Sequence, residues 1–317
     1  MKSSNIKPKI LITGGAGFIG SNLCNYFSTN GHTVICIDNL SGGYKENLNY
    51  NKNIIFIRGS CADSKTLNKA FKLKPNIVFH LAARKGFHYS SVISPIEDLK
   101  VNTITTIKIL EYSVKYKINK FIYTSSSCVY GNISKRSNEN SKIILDTPYA
   151  ISKYTSEEYC KFFQRYYNLN VTIFRLFNTY GPGERVKKYS NVICRFYQNS
   201  INNEDINITG KKSTRSYMYI DDLIRAFKIS VYKNSFINTT LNLGNDSETS
   251  INELAKLIII NSKSKSKIIE HDFRKWDNVI NRSTSIKKIY QISGWKPRIN
   301  IQAGLKKYYK WFKIHCV

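Results

Sequence analysis

The sequence lacks a hydrophobic run long enough to cross a membrane. Its longest aliphatic run, residues 257–260, falls far short of the roughly 20 residues that a membrane-spanning helix needs. Residues 1–13 also lack the apolar core and the small-residue cleavage site of a secretory signal peptide. We therefore expect a soluble, cytoplasmic protein with no membrane partner.

Closely spaced cysteines are lacking too. The seven cysteines include no Cys-x-x-Cys pair, and several fall in stretches expected to be core elements. Zinc sites and the disulfide frameworks of small secreted domains show a different spacing. This pattern predicts reduced thiols and no metal site.

Acidic residues are scarce. The chain has 21 Asp and Glu against 49 Lys and Arg, which gives a formal net charge of +28. Such a charge can indicate a nucleic-acid partner. The bases are scattered, however, and their densest cluster, residues 263–267, is short and typical of a solvated loop. Abundant Asn, Ile and Lys indicate a compositional drift, so we do not expect nucleic acid as the main partner.

A strand followed at once by glycines stands near the N-terminus. Residues 9–13 suit a short buried strand, Gly14, Gly17 and Gly20 follow, and residues 21–29 can continue as a helix. These glycines permit a tight turn, close approach of backbone to a pyrophosphate, and close helix–strand packing. The helix N-terminus presents free N–H groups to the phosphates. This pattern predicts a dinucleotide site.

A second strand, residues 33–37, ends at Asp38. A carboxylate at that point can accept hydrogen bonds from an adenosine ribose, and it would repel a 2′-phosphate. The sequence therefore predicts NAD, and not NADP, as cofactor.

Tyr149 and Lys153 lie four residues apart in a predicted helix. Thr147 suits the N-cap and Pro148 the first turn. Positions i and i+4 share a helix face, so the phenol and the ammonium can point into one site. A nearby cation stabilises phenolate, which would let such a Tyr act as a general base. The same spacing also occurs on ordinary solvated helix faces.

Strands and helices alternate over the first half of the chain. Further strands are predicted at residues 54–57, 76–81, 120–124 and 171–176, with helices at 103–117 and 149–168. This alternation predicts an α/β fold with a Rossmann-type doubly wound parallel sheet. We expect an NAD-binding domain over residues 1–176. Residues 177–317, with helices near 192–201 and 251–262, are expected to form a smaller C-terminal α/β substrate lobe, with some segments returning to the first domain.

With these features in place, the chain resembles the NAD-dependent nucleotide-sugar epimerases and dehydratases of the extended short-chain dehydrogenase/reductase family. The resemblance runs from about residue 9 to residue 311. It rests on Thr13-Gly14-Gly15-Ala16-Gly17-Phe18-Ile19-Gly20, Asp38-Asn39-Leu40-Ser41, Phe79-His80-Leu81-Ala82-Ala83, Asn102, Tyr123-Thr124-Ser125-Ser126-Ser127-Cys128-Val129-Tyr130-Gly131, Tyr149 with Lys153, residues 174–183, Tyr219-Ile220-Asp221-Asp222 and Gly294-Trp295-Lys296-Pro297.

The resemblance implies a role for each matching residue. Tyr149 would be the catalytic base, Lys153 would lower its pKa and hold the nicotinamide ribose, and Ser126 would hydrogen-bond the reacting sugar hydroxyl. The implied cofactor-binding residues are Gly14, Gly17, Phe18, Ile19, Gly20, Asp38, Asn39, Ala82, Ala83, Asn102, Tyr149 and Lys153. The implied substrate-binding residues are Lys85, Ser126, Cys128, Asn178, Asn191, Val192, Arg215 and Arg274. Related enzymes are commonly homodimers joined through helices of the dinucleotide domain, so we expect a homodimer.

One departure from the family bears on the reaction. Sugar 4,6-dehydratases and uronate decarboxylases carry an acid two places before the Tyr at position 130, where this chain has Cys128. Cys128 also matches the catalytic Cys of GDP-mannose 3,5-epimerase and GDP-fucose synthase. The synthase pairs that Cys with a His where Asn191 stands here, although Lys187 or Lys188 could substitute as an acid. Alternatively, Cys128 is a small packing residue, as Ser or Thr is in simple 4-epimerases.

Inversion at C4 of a nucleoside-diphosphate sugar, with a UDP-sugar favoured, is the simplest reaction for this set. Tyr149 would take the 4-hydroxyl proton while hydride passes from C4 to NAD⁺, and the 4-ketosugar would turn before both return. Two alternatives stay open. One is a Cys128-dependent 3- or 3,5-epimerase, with or without reduction, or another nucleotide-sugar-modifying enzyme of the family. The other is a non-catalytic dinucleotide-binding or RNA-binding protein.

Overall fold

The computed structural model describes residues 7–49, 51–84, 92–132, 136–187, 190–272 and 280–316. Its strands are β1 Ile10–Thr13, β2 Val34–Asp38, β3 Ile54–Arg58, β4 Ile77–His80, β5 Lys120–Ser126, β6 Val171–Leu176, β7 Thr179–Tyr180, β8 Ile206–Thr209, β9 Thr214–Arg215, β10 Met218–Tyr219, β11 Thr239–Leu243, β12 Thr249–Ser250, β13 Ile268–His271 and β14 Asn281–Arg282.

The α-helices alternate with the strands through the first half of the chain. They are α1 Phe18–Thr29, α2 Ser64–Phe71, α3 Pro95–Asp98, α4 Thr105–Lys115, α5 Pro148–Tyr167, α6 Val192–Ile201, α7 Ile220–Tyr232, α8 Ile251–Ser262, α9 Lys287–Ser293 and α10 Ile301–His315. A π-helical segment, Leu99–Ile104, joins α3 to α4, and 3-10 turns occur at Lys45–Asn47, Ser127–Tyr130 and Asn234–Phe236.

Within the described residues, seven parallel strands form one sheet in the order β11-β6-β5-β4-β1-β2-β3. The strand order reverses beside β1, which places the glycine turn at the switch point of the sheet. The predicted Rossmann-type doubly wound α/β fold is confirmed. The last strand, β11, comes from the second half of the chain and pairs with β6.

Alternate residues of the strands feed two hydrophobic clusters, one on each face of the sheet. Ile10 and Ile12 of β1 join a cluster that includes residues of α1 and α7. Leu11 joins the other cluster, with residues of α2, α4 and α5. Strands buried on both faces read as continuous apolar runs, which is why β1, β2 and β4 could be predicted from sequence.

The remaining strands are short and stand apart from this sheet. Among the described residues, β9 lies between β12 and β14, β8 pairs with β13, and β7 pairs with β10. No helix within the described residues is both long and apolar enough to cross a membrane.

Candidate active site

The glycine turn between β1 and α1 leaves room only for glycine at two points. Gly14 has φ +68°, and a Cβ there would lie 2.9 Å from the backbone of Ala82. A Cβ on Gly20 would overlap the carbonyl oxygen of Gly14. Phe18 and Ile19, both half-buried, open α1 directly behind this turn. The structure thus has the close backbone packing that dinucleotide binding requires.

Asp38 stands at the carboxyl end of β2, beside the glycine turn. Its carboxylate accepts hydrogen bonds from the N–H of Ala16 at 2.9 Å and of Leu40 at 2.7 Å. These bonds fix the carboxylate against the turn, where a ribose hydroxyl is expected. The neighbouring Asn39 is exposed, and its side chain accepts from the N–H and hydroxyl of Ser41.

Ala82 and Ala83 follow β4, and hydrogen bonds connect this segment to the helices behind it. The backbone N–H of Arg84 donates to Oδ1 of Asn102 at 2.8 Å, and Nδ2 of Asn102 donates to Oγ of Ser152 at 3.0 Å. Asn102, buried in the π-helical segment, therefore connects the expected cofactor edge to α5. In this structure its side chain positions other protein groups.

A buried histidine continues this connection. His80 hydrogen-bonds the hydroxyls of Thr13 at 2.7 Å and Thr106 at 2.9 Å, and burial lowers its pKa to about 3. If the neutral His80 ring carries its proton on Nε2, each donor in this series has an acceptor. The Ala82 N–H donates to Thr13, the Thr13 hydroxyl to Nδ1, Nε2–H to Thr106, and the Thr106 hydroxyl to the carbonyl of Asn102. The motif around His80 can be recognised from the sequence, but this role of His80 cannot, because it depends on partners 26 and 67 residues away.

Ser126 and Tyr149 meet at the carboxyl end of β5. Ser126 is the last residue of that strand, and its hydroxyl lies close enough to the phenol of Tyr149, in the first turn of α5, to lower the pKa of that phenol. The Thr147 hydroxyl caps α5 by accepting from the Ala150 N–H at 3.1 Å, as the sequence predicts. The structure thus places the predicted base and the predicted hydroxyl-binding Ser side by side.

Burial controls the ionisation of Tyr149. It raises the pKa of the phenol above its ordinary value, and the electrostatic effect of the nearby Cys128 side chain acts in the same direction. The hydrogen bond from Ser126 and the positive charge of Arg282 oppose this rise.

Lys153 is buried one turn further along α5. Its ammonium lies 4.3 Å from the ring centroid of Tyr123, and burial lowers its pKa to about 7. The resemblance assigns to Lys153 the lowering of the Tyr149 pKa. In this structure the groups that lower it are Ser126 and Arg282.

Cys128 lies in the 3-10 turn after Ser126, and it contacts an arginine from the far end of the chain. Nη1 of Arg282 lies 3.5 Å from the Cys128 sulfur. The strand β14 pairs with β9, which puts Arg282 directly beside Arg215. Sequence reasoning missed Arg282, since a two-residue strand has no periodicity that could reveal its partner.

The predicted substrate-binding residues lie at several places in the second half. Asn178, just after β6, has a buried Nδ2 with no hydrogen-bond partner among the described residues. Asn191 is the N-cap of α6, with Val192 next, and its N–H donates to Oε1 of Glu184 at 3.3 Å. Arg215 donates from Nη1 to the carbonyls of Thr214 and Ile280. Lys85, Lys188 and Arg274 lie outside the described residues.

Comparison with known proteins agrees with this geometry. Residues 10–244 match the NAD dependent epimerase/dehydratase family. The chain belongs to this family. It is an enzyme of a family whose cofactor is NAD, and the extended short-chain dehydrogenase/reductase resemblance is confirmed.

Relatives within this family catalyse different reactions. A solved UDP-glucose 4-epimerase of Thermotoga maritima, with UDP-glucose, is 35% identical with a TM-score of 0.91, over 96% of this chain and 99% of that one. A UDP-N-acetyl-alpha-D-glucosaminuronate decarboxylase of Bacillus cytotoxicus is 32% identical over 97% of this chain and 98% of its own length. A solved UDP-glucuronic acid 4-epimerase of Bacillus cereus, with UDP-glucuronic acid and NAD, is 26% identical with a TM-score of 0.88, over 96% and 99%.

Proposed function

We propose that this enzyme inverts C4 of a nucleoside-diphosphate sugar, with NAD as its cofactor and a UDP-sugar as its substrate. The observation that carries the proposal is that Ser126 and Tyr149 lie side by side at the carboxyl edge of the sheet, with Lys153 on the same helix face as Tyr149. The relatives that are 4-epimerases of UDP-sugars support the same reaction.

The residues around the switch point fit NAD. A Cβ at Gly14 or Gly20 would fill the space between the turn and its neighbours, and the Asp38 carboxylate is fixed where a ribose would lie. When bound, NAD⁺ supplies a hydride acceptor and donor for C4 of the sugar. The Asp38 charge disfavours a 2′-phosphate, so the fit is to NAD.

Tyr149 and Ser126 handle the proton of the 4-hydroxyl in this proposal. Tyr149 takes this proton as C4 becomes a ketone and returns it after the sugar has turned, while Ser126 orients the hydroxyl. Because burial raises the Tyr149 pKa, an ionised phenol needs the groups that lower this pKa, which are Ser126 and the cation Arg282. Positioned proton transfer of this kind contributes roughly 10²–10⁴-fold to the rate.

The residues next to Ser126 favour epimerisation over elimination or decarboxylation. Ser127 and Cys128 stand where dehydratases and uronate decarboxylases carry acids. Without a carboxylic acid there, the enzyme lacks the acid–base group that elimination or decarboxylation at C5 and C6 would use. The chain is 32% identical to a decarboxylase, but it has Ser127 and Cys128 where the resemblance leads us to expect an acid.

A second candidate function rests on the contact between Cys128 and Arg282. A thiol beside a guanidinium could exchange a proton at C3 or C5 of a 4-ketosugar, which would make the enzyme a 3- or 3,5-epimerase. We rank it second, because Asn191 stands where fucose synthase has a His acid. The backbone N–H of Asn191 donates a hydrogen bond to Glu184.

One experiment tests both candidates. Purified enzyme is incubated with UDP-hexoses, UDP-N-acetylhexosamines and UDP-hexuronates in deuterated water, and products are separated and analysed by mass spectrometry. We expect C4 epimers without deuterium at carbon. Tyr149→Phe should fold, bind NAD and lose turnover by roughly 10²-fold or more, and Cys128→Ser should keep most activity.

Tyr290→Phe, at an exposed position of α9, is the matched control and should behave as wild type. Deuterium at C3 or C5 together with loss of activity in Cys128→Ser would establish the second candidate. Near-normal turnover in Tyr149→Phe would contradict both. Binding of oligonucleotides that falls with salt, with no sugar converted, would favour the non-catalytic alternative.

We also propose that the enzyme is a homodimer. Large apolar side chains are exposed along α5 and the helical segment that packs against it, and a second copy of this chain would cover them.

A further inference from the structure

Arg282 is a half-buried cation with most of its hydrogen-bonding capacity unused. Its Nη1 lies 3.5 Å from the sulfur of Cys128, a weak acceptor, while its Nε is buried and has no partner among the described residues. Across the described ranges, no carboxylate lies within ion-pair distance of it. A buried charge without a counter-charge is costly, so a ligand is the expected partner.

Arg282 is placed at the reacting end of the sugar. Cys128, which it contacts, donates its backbone N–H to the hydroxyl of Ser126, and Arg282 lies close enough to Tyr149 for its charge to act on the phenol. In the proposed reaction these side chains surround C4. The diphosphate is attached at C1, on the opposite side of a pyranose ring, so it is not the anion that meets Arg282.

The neighbouring arginine differs in its contacts. Arg215, beside Arg282 in the paired strands, donates from Nη1 to two backbone carbonyls. Arg282 instead extends toward the 3-10 turn after β5. A guanidinium matches a carboxylate best, because the two planar groups can form parallel charge-assisted hydrogen bonds.

We propose that Arg282 binds a carboxylate on C5 of the sugar ring, so the substrate class is a nucleoside-diphosphate hexuronate. C5 is bonded to C4, so a carboxyl group on C5 lies beside the reacting atoms. This inference rests on the proposed function and narrows its substrate to acidic sugars.

Arg282 also has a consequence for the product. Once C4 is a ketone, the sugar is a β-keto acid, which can lose carbon dioxide. The C5–C6 bond breaks, its electron pair forms an enolate with the C4 oxygen, and C5 then takes a proton. An ion pair with Arg282 stabilises the carboxylate that this step would destroy. The enzyme should therefore release a product that keeps its carboxyl group.

The test compares kcat/KM for UDP-glucuronate and UDP-glucose in three proteins: wild type, Arg282→Gln and Arg282→Lys. Wild type should prefer the uronate. Arg282→Gln should lower kcat/KM for the uronate by roughly 10- to 100-fold and change that for UDP-glucose by less than about threefold. Arg282→Lys should recover part of the loss, and mass spectrometry should show a carboxylated epimer.

Arg298→Gln removes the same charge at an exposed position and should leave the substrate ratio unchanged. Calorimetric binding of both UDP-sugars to each variant separates this inference from the proposed function. If wild type converts neither sugar, the 4-epimerase proposal fails, while an Arg282-dependent preference for binding the uronate still supports this inference. A wild-type preference for UDP-glucose, or an equal effect of Arg282→Gln on both sugars, overturns it.

Discussion

At the scale of single residues, Lys153 shows how burial and charge compete. Its ammonium is buried against the Tyr123 ring, and burial lowers its pKa to about 7, although Glu157 and Cys160 nearby favour the charged form. Glu157 forms an ion pair with Arg175 at 2.7 Å, so its negative charge is already largely balanced. Lys153 therefore has little to balance its charge before a ligand arrives.

This shift predicts a pH-dependent stability. The unfolded chain has a Lys pKa near 10.5 and the folded one about 7, so between these values the unfolded state binds more protons. The free energy of unfolding should thus rise from pH 7 to pH 10 by up to about 1.4 kcal/mol per pH unit through this group. Lys153→Met should lack this part of the slope in urea unfolding of the cofactor-free protein.

Lys256→Met, at an exposed position of α8, serves as the control and should keep the wild-type slope. At pH 7, Lys153→Met should be at least as stable as wild type, since it no longer buries an amine. Equal slopes in wild type and Lys153→Met would show that the ammonium stays hydrated in the fold.

The features of the site that can be predicted from the sequence are those formed by residues close together in the chain. Tyr149 and Lys153 share a face because of the period of one helix, and Gly14, Gly20 and Asp38 belong to one βαβ unit. Arg282 could not be found this way, because 154 residues separate it from Cys128 and only the pairing of β14 with β9 brings it there. The structural role of the Asn102 side chain could not be predicted either, since it depends on the partners Arg84 and Ser152.

At the scale of elements, strands and helices with a long, clear apolar pattern were predicted best. The predicted bounds of β6, α6 and α8 agree with the structure, since each has a clear pattern of apolar residues. The strand β11 was not predicted, because Thr239–Leu243 is short and mixes polar with apolar residues. The predicted helix over residues 103–117 begins instead as the π-helical segment Leu99–Ile104.

The turn between β1 and α1 leaves no room for a side chain at Gly20. An added methyl at Gly20 would overlap the Gly14 carbonyl, so Gly20→Ala should push α1 away from the turn. We expect a loss of about 1–3 kcal/mol in the free energy of unfolding, reduced by the better helix propensity of Ala. The dissociation constant for NAD, measured by calorimetry, should rise at least about tenfold.

Gly42→Ala is the matched control, because nothing lies within 4 Å of its added Cβ. It should change neither stability nor NAD affinity appreciably. If Gly20→Ala binds NAD as wild type does, the glycine turn is not where the pyrophosphate lies.

At the scale of the whole molecule, apolar surface is concentrated on one pair of helical segments. Exposed side chains follow α5 and the preceding segment, and two of them, Phe162 and Tyr166, stack with ring centroids 5.5 Å apart. The exposed set is Leu99, Ile104, Ile151, Tyr159, Phe162, Tyr166 and Tyr167. Exposed apolar side chains that are concentrated in this way are typical of an interface between protein chains.

A second copy of this chain is the partner that we expect on this surface. Two copies related by a two-fold axis would place α5 against its counterpart and bury the same side chains on both, as stable dimers do over about 1,600 Å². The double variant Phe162→Glu with Tyr166→Glu should therefore be monomeric at micromolar concentration in light scattering after size-exclusion chromatography. Ile260→Glu changes an exposed side chain of α8 and should leave the dimer intact. A monomeric wild type, or a double variant that still dimerises, would show that the interface is not on α5.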